Sequence, residues 1–191
     1  MSKKNLSGEE ALARLKEGNK RFVKDQLTGE MQDAVRRDAL TGGQAPYAII
    51  LSCADSRVVP EMAFDTGLGE IFVIRVAGNV ANTSSIASIE YAVAHLGVNL
   101  IVVLGHESCG AVTAALAGGN NGYNLNHLLA HITPAVSASR NKAVNSVVKK
   151  NAKMTATELV HRSDIIEKAT TKGLKIVSAY YNLKSGKINF L

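Results

Sequence analysis

Apolar residues in this chain gather in short, nearly unbroken runs. Tyr47-Ala48-Ile49-Ile50-Leu51, Ile71-Phe72-Val73-Ile74-Arg75-Val76, Leu100-Ile101-Val102-Val103-Leu104 and Lys175 to Tyr181 are rich in β-branched residues and bounded by polar loops. Runs of about four to eight such residues predict strands buried on both faces, as in a parallel sheet. Ser185-Gly186 predicts a turn into a last short strand, Lys187-Ile188-Asn189-Phe190. Between these runs the period changes. Ser7-Gly8-Glu9-Glu10 is a capping-box pattern, and Leu12, Leu15, Phe22 and Val23 continue it at near-helical spacing to about Lys24, with Gly18 as a weak point. A charged segment from Asp25 to about Gly43 predicts partial helix around Met31 to Leu40. Pro60 and Glu61 predict a short helix through Phe64. Ser84 or Ser85 is expected to cap a helix that Gly97 ends after Leu96. Ala111 to Ala117 predicts a helix, and Leu125 to Lys172 a helix-rich stretch interrupted near Pro134 and ended by Gly173.

Strands joined through helices by short loops predict an α/β fold, a mostly parallel β-sheet flanked by helices. Few residues before Gln44 promise a core, so residues 1–43 are expected to form an N-terminal helical arm. That arm is either packed on its own domain or laid across a partner subunit. Residues 44–191 are expected to form the α/β core, with 1–191 as a single domain.

The chain has 191 residues, a formal net charge of +6 and only two cysteines, Cys53 and Cys109. No apolar run reaches the roughly 20 residues needed to span a bilayer. The basic start, Met1 to Asn5, leads into no apolar leader, so the expected location is cytoplasmic. The late basic residues, Arg140 to Lys153, have no interleaved aromatics, which argues against a nucleic-acid surface. A positive field does favour a small anionic substrate or product.

Chemistry concentrates at two predicted strand ends, where open parallel sheets bind ligands. The first strand leads into Cys53-Ala54-Asp55-Ser56-Arg57, and the third into Gly105-His106-Glu107-Ser108-Cys109-Gly110. The cysteines alone leave disulfide, metal and catalysis open. Asp55, Arg57 and His106 beside them favour a metal. With the two strand ends side by side, Cys53, His106 and Cys109 offer three ligands and leave one position open, as in catalytic zinc sites. Zn2+ would make hydroxide from water near neutral pH, at a higher working pH than an all-His site, because two thiolates donate more charge. Arg57 is expected to hold Asp55 ionised and off the metal, leaving the carboxylate to orient the nucleophile. His127 and His131 share a helix face but lack the glutamate of a metalloprotease motif, and are expected to be surface histidines.

Cys53-x-Asp55-x-Arg57 together with Gly105-His106-x-x-Cys109-Gly110 resembles the β-class carbonic anhydrases. The resemblance extends to Gln44-x-Pro46, Phe72, Arg75 to Asn79 and Tyr91. It implies reversible hydration of carbon dioxide to bicarbonate and a proton, with Cys53, His106 and Cys109 as zinc ligands and Asp55–Arg57 as the catalytic dyad. It also implies a substrate-donating amide from Gln44 and a small apolar pocket from Phe72, Ala77, Gly78 and Tyr91. Homodimers, or larger homo-oligomers built from dimers, with sites at the dimer interface are implied too. Neither nucleic acid nor a membrane is an expected partner. The rivals are a hydrolase of carbonyl sulfide or carbon disulfide on the same fold, and a non-catalytic zinc-binding protein. The dyad speaks against the second, because a structural zinc needs no oriented hydroxide.

Overall fold

The computed structural model describes residues 6–191; the basic start read for a leader lies outside them. The sheet is built from β1 (Ala48–Ser52), β2 (Ile71–Arg75), β3 (Leu100–His106), β4 (Lys175–Tyr181) and β5 (Ile188–Phe190), in the order β2-β1-β3-β4-β5. The first four strands run parallel and β5 runs antiparallel to β4. Every residue of β1 and β3 is buried, as their continuous apolar runs require.

Successive side chains on a strand point to opposite faces, so each run feeds two cores. Ala48, Ile50, Leu100, Val102 and Leu104 pack with α1 (Gly8–Val23) and the short α3 (Pro60–Ala63). Ile49, Leu51, Ile101 and Val103 pack with α4 (Thr83–Leu96), α8 (Val144–His161) and α9 (Asp164–Thr170). A third cluster, around α5 (Gly110–Ala117), α6 (Tyr123–Ala130) and α7 (Thr133–Ala138), adjoins Cys53 and Cys109.

One local expectation needs correction. The Ser7–Glu10 capping box forms in both directions, but α4 is capped by Asn82, whose side chain accepts from Ser85 N, and not by Ser84 or Ser85. The expected interruption near Pro134 is present, between Ala130 and Thr133, and the proline sits in the first turn of the next helix, where a missing N–H costs nothing. Gly97 does end α4, in the left-handed conformation.

The N-terminal helix is also richer in core than its sequence promised. Ala11 and Leu15 are fully buried against the sheet. A Cβ on Gly18 would fall 1.8 Å from the Phe64 carbonyl oxygen, so the glycine permits close contact with the end of α3. Buried Asn19 donates to the carbonyls of Ala63 and Gly186 and accepts from Ile188 N, tying α1 to β5. Within the single chain, this helix packs on its own domain. The next helix, α2 (Ala34–Ala39), buries no residue at all.

Candidate metal centre

Strands β1 and β3 are neighbours in register, with Ser52 opposite Leu104. Cys53 and His106 therefore leave the sheet side by side, and Cys109 follows as the residue that heads α5. The Sγ atoms of Cys53 and Cys109 and a ring nitrogen of His106 lie within 4.8 Å of one another, and all three residues are buried. Both cysteines are free.

The state of each ligand atom follows from its neighbours. His106 Nδ1 lies 2.9 Å from the Glu107 carbonyl, which only accepts, so the proton sits on Nδ1. Nε2 is then a bare lone pair, buried and without a hydrogen-bond partner. A buried polar atom left unpaired is costly unless something binds it. The Cys109 thiol donates to Cys53, and Gly78 N–H donates to Cys53 Sγ at 3.2 Å, so Cys53 is held as thiolate with a pKa of about 4. The same neighbour pushes Cys109 up. The two sulfurs thus share one proton, which a cation between them would displace. Two thiolates and one imidazole with an open side form a donor set that suits zinc.

Asp55 lies beside this group and is held by Arg57. Its Oδ1 accepts from Arg57 Nε at 2.9 Å and from Arg57 N at 3.0 Å, and its Oδ2 accepts from Nη2 at 2.7 Å. Oδ2 is 3.8 Å from His106 Nε2. The Arg57 hydrogen bonds keep the carboxyl well below the usual carboxylate range.

Three further residues support the site, and sequence reasoning gave none of them this role. Arg75, at the end of β2 opposite Ser52, donates to the carbonyls of Cys53, Asp55 and Val58 and so fixes the loop that carries the dyad. Asn145, on α8, accepts from Ser108 N at 2.9 Å and steadies the left-handed Ser108 between His106 and Cys109. Asn151, also on α8, donates to Gly78 O at 2.9 Å. Glu107, next to the histidine, turns its carboxylate away from this group: it accepts from Leu183 N and belongs to the link between β4 and β5.

Not every expected site residue is gathered here. Ala77 and Gly78 form a single 3-10 turn beside Cys53. Phe72 pairs instead with Tyr91, ring centroids 6.4 Å apart, on the α4 side of the sheet. Phe72 lies opposite Ile49, four residues before Cys53, or roughly 13 Å along the strand. Gln44 precedes β1 and is exposed in a groove with Leu40, Gly43, Tyr47 and Gly69. The six steps from Tyr47 to Cys53 put that groove about 20 Å from the chain's own cysteine. His127 on α6 and His131, the residue just past its end, stack edge to face with centroids 5.5 Å apart, and burial lowers the pKa of His131.

The carbonic anhydrase family's sequence profile matches residues 48–188. Carbonic anhydrase 2 of Mycobacterium tuberculosis is 42% identical over 181 residues, covering 91% of this chain and 87% of that protein. A tetrameric β-carbonic anhydrase of Sordaria macrospora superimposes with a TM-score of 0.76 at 25% identity, covering 96% of this chain and 95% of the other. The chain belongs to the β-class carbonic anhydrase family. The carbonic anhydrase of Mycolicibacterium smegmatis is 40% identical over 182 residues, covering 91% of this chain and 88% of that protein. The β-carbonic anhydrase CafA of Aspergillus fumigatus aligns with a TM-score of 0.74 at 30% identity, over 96% and 89% of the two chains. This carbonic anhydrase is a zinc enzyme that interconverts carbon dioxide and bicarbonate.

Proposed function

We propose that Cys53, His106 and Cys109 hold the zinc ion of this carbonic anhydrase, that Asp55 and Arg57 act on the attacking water, and that carbon dioxide rather than carbonyl sulfide or carbon disulfide is the substrate. One observation carries the reading: three ligand atoms converge within 4.8 Å beside a carboxylate that a guanidinium holds in a bidentate grip. Zinc held by these residues would supply Lewis-acid chemistry, lowering the pKa of a bound water from about 15.7 toward 7. The protein does the rest. Arg57 keeps Asp55 ionised and turned from the metal, while the free lone pair of Oδ2 accepts a hydrogen bond from the water and orients it. Ala77 and Gly78 border the reaction space.

On this reading Gln44, Phe72 and Tyr91 serve the site of a second copy. Gln44 sits at the opposite end of β1 from Cys53, and Tyr91 is 48% exposed, so both are available to a neighbour. The unit that works is then a homodimer, or a larger homo-oligomer built from dimers; the Sordaria relative is itself tetrameric. The chain comprises one domain, residues 1–191, with 1–43 as an N-terminal arm on the 44–191 core. Its workplace is the cytoplasm, where thiols stay reduced. Among the described residues no helix is long and apolar enough to cross a membrane.

Stopped-flow hydration of carbon dioxide, run beside carbonyl sulfide turnover, tests the substrate. Carbon dioxide is expected to be turned over far faster. A preference for carbonyl sulfide, or zinc-replete protein without hydration activity, would overturn the reading.

A further inference from the structure

We propose that Asn151 is a positioning residue for the metal centre: its side-chain amide locks the Gly78 turn so that the Gly78 N–H is aimed at Cys53 Sγ. The inference rests on the reading of Cys53 as a zinc ligand.

The geometry begins with a glycine in the left-handed conformation. Gly78 has φ 66 and ψ 20, and an added Cβ would meet Ile132 Cδ1 at 2.6 Å and Ala111 Cβ at 3.3 Å. Positive φ and this crowding favour glycine where the N–H approaches the sulfur. Glycine is also the residue with the widest backbone freedom, so its N–H direction has to be set from outside. The peptide unit that follows Gly78 is gripped at both ends. Its carbonyl accepts from Asn151 Nδ2 at 2.9 Å, and its N–H, that of Asn79, donates to Val76 O at 2.8 Å. Holding this plane limits how the Gly78 turn can rearrange, and the N–H on the near side of the residue donates to Cys53 Sγ, 3.2 Å away. The Asn151 bond acts through position, because it falls on a different peptide unit from the one that donates to sulfur.

Asn151 also links the two halves of the centre. It sits on α8 between Val148 and Ala152, the residues that a Cβ on Gly105 would meet. Gly105 precedes His106, so the helix that places the Cys53 donor rests on the strand that places the histidine. Asn151 is 3% exposed. A buried amide inside a helix is poor for helix propensity and for core packing, and here its bond to a ligand-supporting turn accounts for it. An N–H to a thiolate stabilises the sulfur lone pairs and orients them, and partners of this kind tune metal affinity by roughly 10- to 100-fold.

The test reads metal binding rather than turnover. Asn151→Leu keeps the branched shape and removes the donor; Asn151→Ser, smaller and too short to reach the Gly78 carbonyl, serves if the first variant does not fold; Asn151→Gln restores an amide. Zinc affinity is measured by chelator competition, and the thiolate-to-metal charge-transfer band is recorded on cobalt-substituted protein. Asn151→Leu or Asn151→Ser is expected to bind one metal per chain with roughly 10- to 100-fold weaker affinity. Its cobalt band should move to longer wavelength as the sulfur loses its hydrogen bond, and Asn151→Gln should bring both quantities part of the way back. Unchanged affinity and an unchanged band in a folded variant would overturn the inference, as would lost affinity with an unmoved band. A chain that bound metal as described but hydrated no carbon dioxide would instead defeat the catalytic reading and leave this one standing.

Discussion

Arg57 grips Asp55 through both carboxylate oxygens, at 2.9 and 2.7 Å, while Asp55 Oδ2 stands only 3.8 Å from the bare Nε2 of His106. A carboxylate this close to a metal ligand is a ligand in waiting. Removing the guanidinium in Arg57→Ala should let Asp55 take the fourth position, giving a closed site of four protein ligands. Zinc content is expected to stay at one per chain, while hydration falls by about a hundredfold or more. Adding Asp55→Ala should recover only part of the rate. Metal analysis beside a pH–rate profile checks this; full activity in Arg57→Ala would leave the pair as a loop staple.

Gln44 and Cys53 lie at opposite ends of β1, which makes a mixing experiment decisive for the shared site. Gln44→Ala should keep its zinc and lose about a hundredfold in turnover, the usual cost of one donor to the developing charge. Cys53→Ser should be inactive. Mixed dimers of the two contain one intact Cys53 site facing one intact Gln44, so activity should rise above that of either variant. No recovery under conditions where subunits exchange would show that each chain works alone.

Gly18→Ala sets helix propensity against packing. Alanine is favoured over glycine in a helix by about 1 kcal/mol. The new Cβ would fall 1.8 Å from the Phe64 carbonyl oxygen, a backbone atom that cannot step aside. Forced overpacking costs about 3 kcal/mol, so the packing term wins and net destabilisation of about 2 kcal/mol is expected. Denaturant unfolding gives the value, and a stabilised variant would mean that α1 does not rest on α3 as described.

The strands were legible because each is a buried apolar run, and the metal centre because its ligands follow two of those runs at short spacing. Other features depend on what an element meets. Gly18 looks like a helix weakness until Phe64 is known to lie against it. Ser84, Ser85 and Asn82 are all good caps by type, and only backbone direction selects Asn82. Arg75 and Asn151 act on carbonyls far away in sequence, which no local pattern records. Gln44 was recognisable by type, but the distance that separates it from its own Cys53 appears only once β1 is laid out.

Asp65 supplies a pH-dependent term in stability. Its side chain is 2% exposed and accepts from Arg21 Nε at 2.5 Å and Thr28 N at 3.0 Å. Burial alone would raise its pKa, but the bonds from Arg21 and Thr28 outweigh burial and hold it below the ordinary carboxylate range. A group whose folded pKa is depressed stabilises the fold above its unfolded pKa, and the contribution fades as pH falls through the folded value. Asp65→Asn should therefore cost about 2 kcal/mol at neutral pH, with the difference from the parent shrinking below about pH 4. Thermal unfolding of both proteins across acid pH measures it, and a gap that widened toward low pH would contradict the assignment.

Titrating metal-free protein with zinc while following carbon dioxide hydration puts the account to its most direct test. Activity should be absent at the start, rise in proportion to zinc, and stop rising at one zinc per chain. In Cys109→Ser the same titration should fail to restore the rate. Full hydration by the metal-free chain, or saturation with zinc and no hydration, would contradict it.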